Sequence, residues 1–78
     1  MSGYDSKAME QLMTLQLNGE ARSVPESCNV QDLIRFLGIA EERIAVEVNR
    51  RIVRRADWSG TGLRSGDRVE IVQFVGGG

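Results

Sequence analysis

The chain has 78 residues, ten Lys and Arg against eleven Asp and Glu, a formal net charge of −1, no His and one Cys. A chain this short buries only about 60–65% of its unfolded surface, so it holds one small domain and no large enclosed active site. Without His and with Cys28 alone, the usual zinc, haem and iron–sulfur ligand sets are missing, as is the base of Ser-His-Asp or Cys-His catalysis. The near-neutral charge speaks against nucleic-acid binding, and no apolar run approaches the ~20 residues of a membrane span. A lone Cys calls for no oxidising compartment, and the N-terminus lacks a signal-peptide core, so the expected location is the cytoplasm.

Residues 1–12 are polar at first and show no clear period, and they are read as a disordered extension. From Met13 the pattern is strict. Met13, Leu15 and Leu17 alternate with Thr14, Gln16 and Asn18, as in a half-buried strand. Asn18-Gly19 supplies the two positive-φ positions of a tight hairpin turn. Residues 20–24 make the return strand, which Pro25 ends because it has no N–H to give a ladder.

A helix comes next. Asn29 is its N-cap, with the Asp32 carboxylate three residues on, near the positive helix end. Val30, Leu33, Ile34 and Leu37 form one apolar stripe, and Gly38 suits the left-handed stop. Ile44, Val46 and Val48 alternate as a third strand. Ile52-Val53 follows an Asn49-Arg50-Arg51 corner as a brief fourth. Ser59 to Gly62 is expected to be a loop, and Ser65-Gly66-Asp67 a turn that launches a last strand from Arg68 to Phe74.

The order β-β-α-β-β-β suits one arrangement at this length: an α+β fold in which a mixed sheet of four to five strands wraps one main helix, the last strand beside the first. That is the β-grasp, or ubiquitin-like, fold. The domain is expected over 13–75, with 76–78 as a flexible tail. On the last strand Val69 and Ile71 are assigned to the core. Val72 and Phe74 then fall on the open sheet face, where with Val75 they form a docking surface; the alternative buries Phe74 against the sheet edge.

Gly76-Gly77-Gly78 has a chemical logic of its own. Glycines lack Cβ, so a Gly-Gly-Gly end is a thin stalk that presents an α-carboxylate, ionised at neutral pH, inside a narrow tunnel. The segment from Gly66 to Gly78, together with Val46-Glu47-Val48-Asn49-Arg50-Arg51-Ile52-Val53, Asp57-Trp58 and Leu15-Gln16-Leu17-Asn18-Gly19-Glu20, resembles the ThiS family of thiamin-pathway sulfur carriers from about Met13 to the end.

That resemblance implies a chain that is not itself an enzyme, binds no cofactor or metal stably, and is a monomer when free. An E1-like, ThiF-type partner would use ATP and magnesium to adenylate the Gly78 carboxylate. Sulfur from a cysteine-desulfurase persulfide would replace AMP and leave a thiocarboxylate. A ThiG-type thiazole synthase would accept that sulfur. Gly76 and Gly77 carry over as the segment that threads the tunnel. A molybdopterin-synthase small-subunit-like carrier, or a ubiquitin-like modifier joined through Gly78 to a lysine, stays open beside it. Among the remaining residues, Cys28 reads as structural rather than as a sulfur relay, and Trp58 as packing. The Arg50, Arg51, Arg54 and Arg55 cluster is either a solvated face or a partner or anion contact.

Overall fold

A computed structural model describes residues 11–74. Most of the expected extension, and Val75, Gly76, Gly77 and Gly78, lie outside the described residues. Alternation starts one residue earlier than the sequence pattern predicts. Strand β1 is Leu12–Leu17, with Met13 and Leu15 turned into the core, and Leu12 pairs with Pro25. The chain reverses through Asn18 and Gly19, at φ 49° and 86°, into β2, Glu20–Pro25. These are the two left-handed positions that a hairpin turn of this hand requires. β2 lies at the sheet edge, where Pro25, with no N–H to offer a further strand, leaves no ladder bond unmade.

Helix α1, Val30–Leu37, carries a complete capping box: the Asp32 N–H donates to Asn29 Oδ1 at 2.7 Å, and the Asn29 N–H donates to Asp32 Oδ2 at 3.1 Å. Two of the helix's unpaired N-terminal donors or their neighbours are thereby satisfied. Gly38 at φ 70° closes the other end, its N–H donating to the Arg35 carbonyl. Val30, Leu33 and Ile34 are buried, and Leu37 packs half-buried beside them.

β3, Ile44–Val48, turns through Asn49 and Arg50, both at positive φ, into β4, Arg51–Val53. The corner is therefore two residues rather than three, and Arg51 belongs to the strand, opposite Val48. A 3-10 helix, Arg55–Gly60, replaces the first half of the loop expected at Ser59–Gly62. It forms around Trp58, which is fully buried and donates from Nε1 to the Val53 carbonyl at 3.0 Å. Leu63 follows it into the core, with the Leu63 N–H donating to the Cys28 carbonyl and the Val30 N–H to the Thr61 carbonyl. These bonds stitch the start of α1 to the segment before the last strand.

β5, Arg68–Gln73, completes a five-stranded sheet in the order β2-β1-β5-β3-β4. β1 and β5 run parallel, and the other neighbours are antiparallel. Inward residues of four strands (Leu15, Val24, Val46 and Val69) meet Leu33, Ile34 and Trp58 in one core under α1. This is the β-grasp arrangement expected from the element order. The opposite face of the sheet has no element over it among the described residues. Among them, too, no helix is long and apolar enough to cross a membrane.

Candidate functional site

The chain end of interest leaves the sheet from β5, the central strand. Val69 and Ile71 point into the core, as the alternation predicts. Val72 and Phe74 stand on the opposite face, 55% and 57% exposed. The reason is the period of two: once Val69 is buried beneath α1, every even-numbered side chain of the strand faces away from it. The alternative of a Phe74 buried at the sheet edge does not occur.

The strand end is nevertheless fixed. β3 pairs with it along its length, Ala45 opposite Val72 and Ile44 opposite Gln73. One residue further, the Phe74 N–H donates to the Arg43 carbonyl at 2.8 Å. Ala40, Glu42, Arg43, Gln73 and Phe74 line a shallow groove at this corner. On the open face, Glu47 of β3 sits directly opposite Glu70 of β5, with Ile52 opposite Glu47 on the other side. The open face around Val72 is thus a mixture of exposed apolar side chains and carboxylates.

Three residues weighed in the sequence find structural roles. Cys28 is buried, its thiol is free, and burial and then the nearby Asp32 carboxylate push its pKa up. A raised pKa means less thiolate, the reverse of what a sulfur relay needs. Trp58 is core. The arginine cluster divides: Arg55 forms an ion pair with Glu41 at 3.1 Å and lies 6.0 Å from the Trp58 ring centroid, while Arg50, Arg51 and Arg54 are solvent-exposed. Such an exposed pair contributes only about 0–1 kcal/mol, so Arg55 serves local packing more than global stability. Among the described residues, no group of acidic or thiol side chains is placed to hold a metal ion.

One participant at the strand end is not legible in the local sequence. The Asn18 side chain reaches across to Ile71, accepting from its N–H at 2.8 Å and donating to its carbonyl at 3.3 Å. Asn18 is legible from sequence as a turn residue, but nothing local announces a partner 53 positions away.

The sequence model of the ThiS family matches residues 15–78, nearly the whole domain and the glycine tail. The chain belongs to the ThiS family. The crystal structure of ThiS from Geobacter metallireducens superimposes on it with a TM-score of 0.75 at 38% identity, covering 85% of this chain and all of that one. The sulfur carrier protein ThiS of Bacillus subtilis is 34% identical over 65 residues, 82% of this chain and 98% of that protein. A thiazole synthase of Paramagnetospirillum magneticum is 39% identical over 66 residues, and another of Magnetococcus marinus is 36% identical. This chain spans only 20% of the length of each of those two. A ThiS-like segment therefore occurs inside longer polypeptides named for the enzyme.

Proposed function

We propose that the chain is a sulfur carrier of thiamin biosynthesis, and that it contributes a single reacting group, the α-carboxylate of Gly78. The observation that carries this is the reach of the family match through Gly78, together with the exposure of Val72 and Phe74 on the open sheet face at the last described residues. A carboxylate is a poor acyl donor because its leaving group would be oxide. Attack of the Gly78 carboxylate on the α-phosphate of ATP expels pyrophosphate and gives an acyl-adenylate. The terminal sulfur of a persulfide, supplied by a cysteine desulfurase, then attacks the acyl carbon and AMP leaves. Cleavage of the resulting S–S bond by a reducing thiol frees the thiocarboxylate.

Phosphate binding, magnesium and acid–base chemistry belong to the activating enzyme, which is of the ThiF type. The chain then has the part of a protein co-substrate and not of an enzyme. Gly76 and Gly77 pass through the partner's tunnel, and Val72, Phe74 and Val75 dock on its rim. A ThiG-type thiazole synthase is the sulfur acceptor, a reading supported by the thiazole synthases that carry a segment like this chain.

The test is complementation. A bacterium lacking its own ThiS should regain growth without thiamin when it expresses this chain, and not when it expresses a version without Gly77 and Gly78. Rescue of molybdenum-cofactor deficiency instead would favour the sister carrier. Higher-mass conjugates that disappear with the two glycines would favour a protein modifier.

A further inference from the structure

The strand that leads to the tail outruns one of its neighbours. β1 pairs with β5 at Gln16↔Arg68 and Leu17↔Val69, then turns away at Asn18-Gly19. On its other side β5 stays paired with β3, from Val48↔Val69 to Ile44↔Gln73. The backbone of Ile71 thus faces the place that β1 has already left. The Asn18 side chain occupies that place. Its Oδ1 accepts from the Ile71 N–H at 2.8 Å, its Nδ2 donates to the Ile71 carbonyl at 3.3 Å, and its backbone N–H donates to the Val69 carbonyl at 2.9 Å. One residue serves two successive rungs of the ladder.

The hairpin turn alone does not demand Asn. Its φ of 49° suits Asp or Gly as well. What only a primary amide adds is a donor and an acceptor side by side, the same pair that a backbone N–H and carbonyl present. The side chain imitates one further residue of β1.

Building on the sulfur-carrier reading, on which it rests, we propose that Asn18 is a positioning residue for the reaction at Gly78: its side-chain amide supplies the missing rung beside Ile71 and so fixes where the tail leaves the sheet. Gly78 lies four residues past Phe74, and four residues span at most about 14 Å when fully extended. The direction of β5 at its end therefore sets the volume in which the carboxylate can be delivered. Without the amide, the backbone of β5 beyond Val69 keeps hydrogen-bonded partners on the β3 side alone, although the Ile71 side chain stays in the core. Val72 and Phe74 keep their β3-side bonds, so docking survives while delivery loosens. The loss falls on turnover, not on affinity.

Asn18→Gly keeps the turn conformation and removes both side-chain bonds. Asn18→Asp keeps the acceptor facing the Ile71 N–H and removes the donor. Both are compared with the wild-type chain in steady-state adenylation and thiocarboxylate formation by an ATP-dependent ThiF-type enzyme, at a temperature where circular dichroism shows each fully folded. Amide exchange at Ile71 is followed in parallel. Because misplacing reacting groups by about 1 Å can cost ~100-fold, kcat for Asn18→Gly is expected to fall about ten-fold, with KM for the carrier within about two-fold. Ile71 exchange should accelerate in the Gly variant and stay slow in the Asp variant, which should lose about three-fold in kcat on the same scale. Faster Ile71 exchange with unchanged kcat overturns the proposal and leaves Asn18 a clamp without consequence for the reaction. A rise in KM alone overturns it too, because it makes Asn18 part of docking. If the Gly variant does not fold, wild-type kcat in the Asp variant is the overturning result. A wild-type chain that takes no sulfur refutes the carrier role itself, a result distinct from a competent wild type with equally competent variants.

Discussion

Replacing Phe74 by Ala separates a docking residue from a core residue. Phe74 is 57% exposed. A phenylalanine carries roughly 200 Å² of accessible surface, so about 110 Å² of it stays in water in the free chain. Covering that area against a partner is worth about 2.8 kcal/mol at ~25 cal/mol/Å², and alanine, which keeps Cβ, forfeits about 2 kcal/mol of it. The expected result is a Kd for the activating enzyme weakened about 30-fold. The covered remainder of the residue rests at the end of β5, in a groove shared with Arg43, and an unfolded chain already shields part of it. Removing it should cost the fold about 1–2 kcal/mol, against the 3–5 kcal/mol typical of a buried Phe. Isothermal titration calorimetry gives the first quantity and urea unfolding the second. An unchanged Kd with a near-normal unfolding midpoint refutes the docking assignment. Loss of the folded state at room temperature refutes the exposure argument on which it depends.

Other outcomes follow from the same geometry. Asn29→Ala removes the capping box and the Asn29 Nδ2 bond to the Ser59 carbonyl, and should lower stability by about 1–2 kcal/mol in urea unfolding. Trp58→Phe keeps most of the buried ring but removes the indole N–H donated to the Val53 carbonyl, and about 0.5–1.5 kcal/mol should be lost in the same assay. Cys28 keeps its proton in the folded chain to higher pH than an ordinary thiol does, because burial and then Asp32 raise its pKa. The unfolded chain loses that proton first, so stability should decline as pH climbs past about 8.5, the ordinary thiol value. Cys28→Ala should abolish that part of the decline, and it should leave sulfur transfer intact, as measured by thiocarboxylate yield; a failure of transfer would restore the relay reading.

Sequence patterning reaches as far as contacts are local or periodic. The Asn18-Gly19 turn, the Asn29 N-cap, the Gly38 stop and the inward set Val69 and Ile71 all depend on spacing within a few residues, and each appears where the spacing puts it. The exposure of Val72 and Phe74 follows from the same period of two. The features that spacing does not reveal are long-range. The 3-10 helix at Arg55–Gly60 forms because Trp58 finds a core to enter and a carbonyl to bond, and Leu63 is buried because Cys28 receives its N–H. Neither segment has a repeat long enough to show a period. Asn18 is the sharpest case, since its local role fully explains its presence and its second role depends on a strand at the far end of the chain. The family membership reached the tail by a different route, through the run of residues from Gly66 to Gly78 that composition alone would leave as a glycine-rich end.

Sulfur delivery by this chain rests on one functional group, and intact mass spectrometry reads it directly. The full chain is incubated with ATP, magnesium, a ThiF-type activating enzyme, a cysteine desulfurase with cysteine, and a reducing thiol, beside a chain lacking Gly77 and Gly78. The expected result is a mass gain equal to one sulfur in place of one oxygen, confined by fragmentation to Gly78, dependent on ATP and absent from the shortened chain. A full-length chain that stays at its original mass with an activating enzyme shown to be competent on its own carrier, or a sulfur found on Cys28 instead, would contradict it.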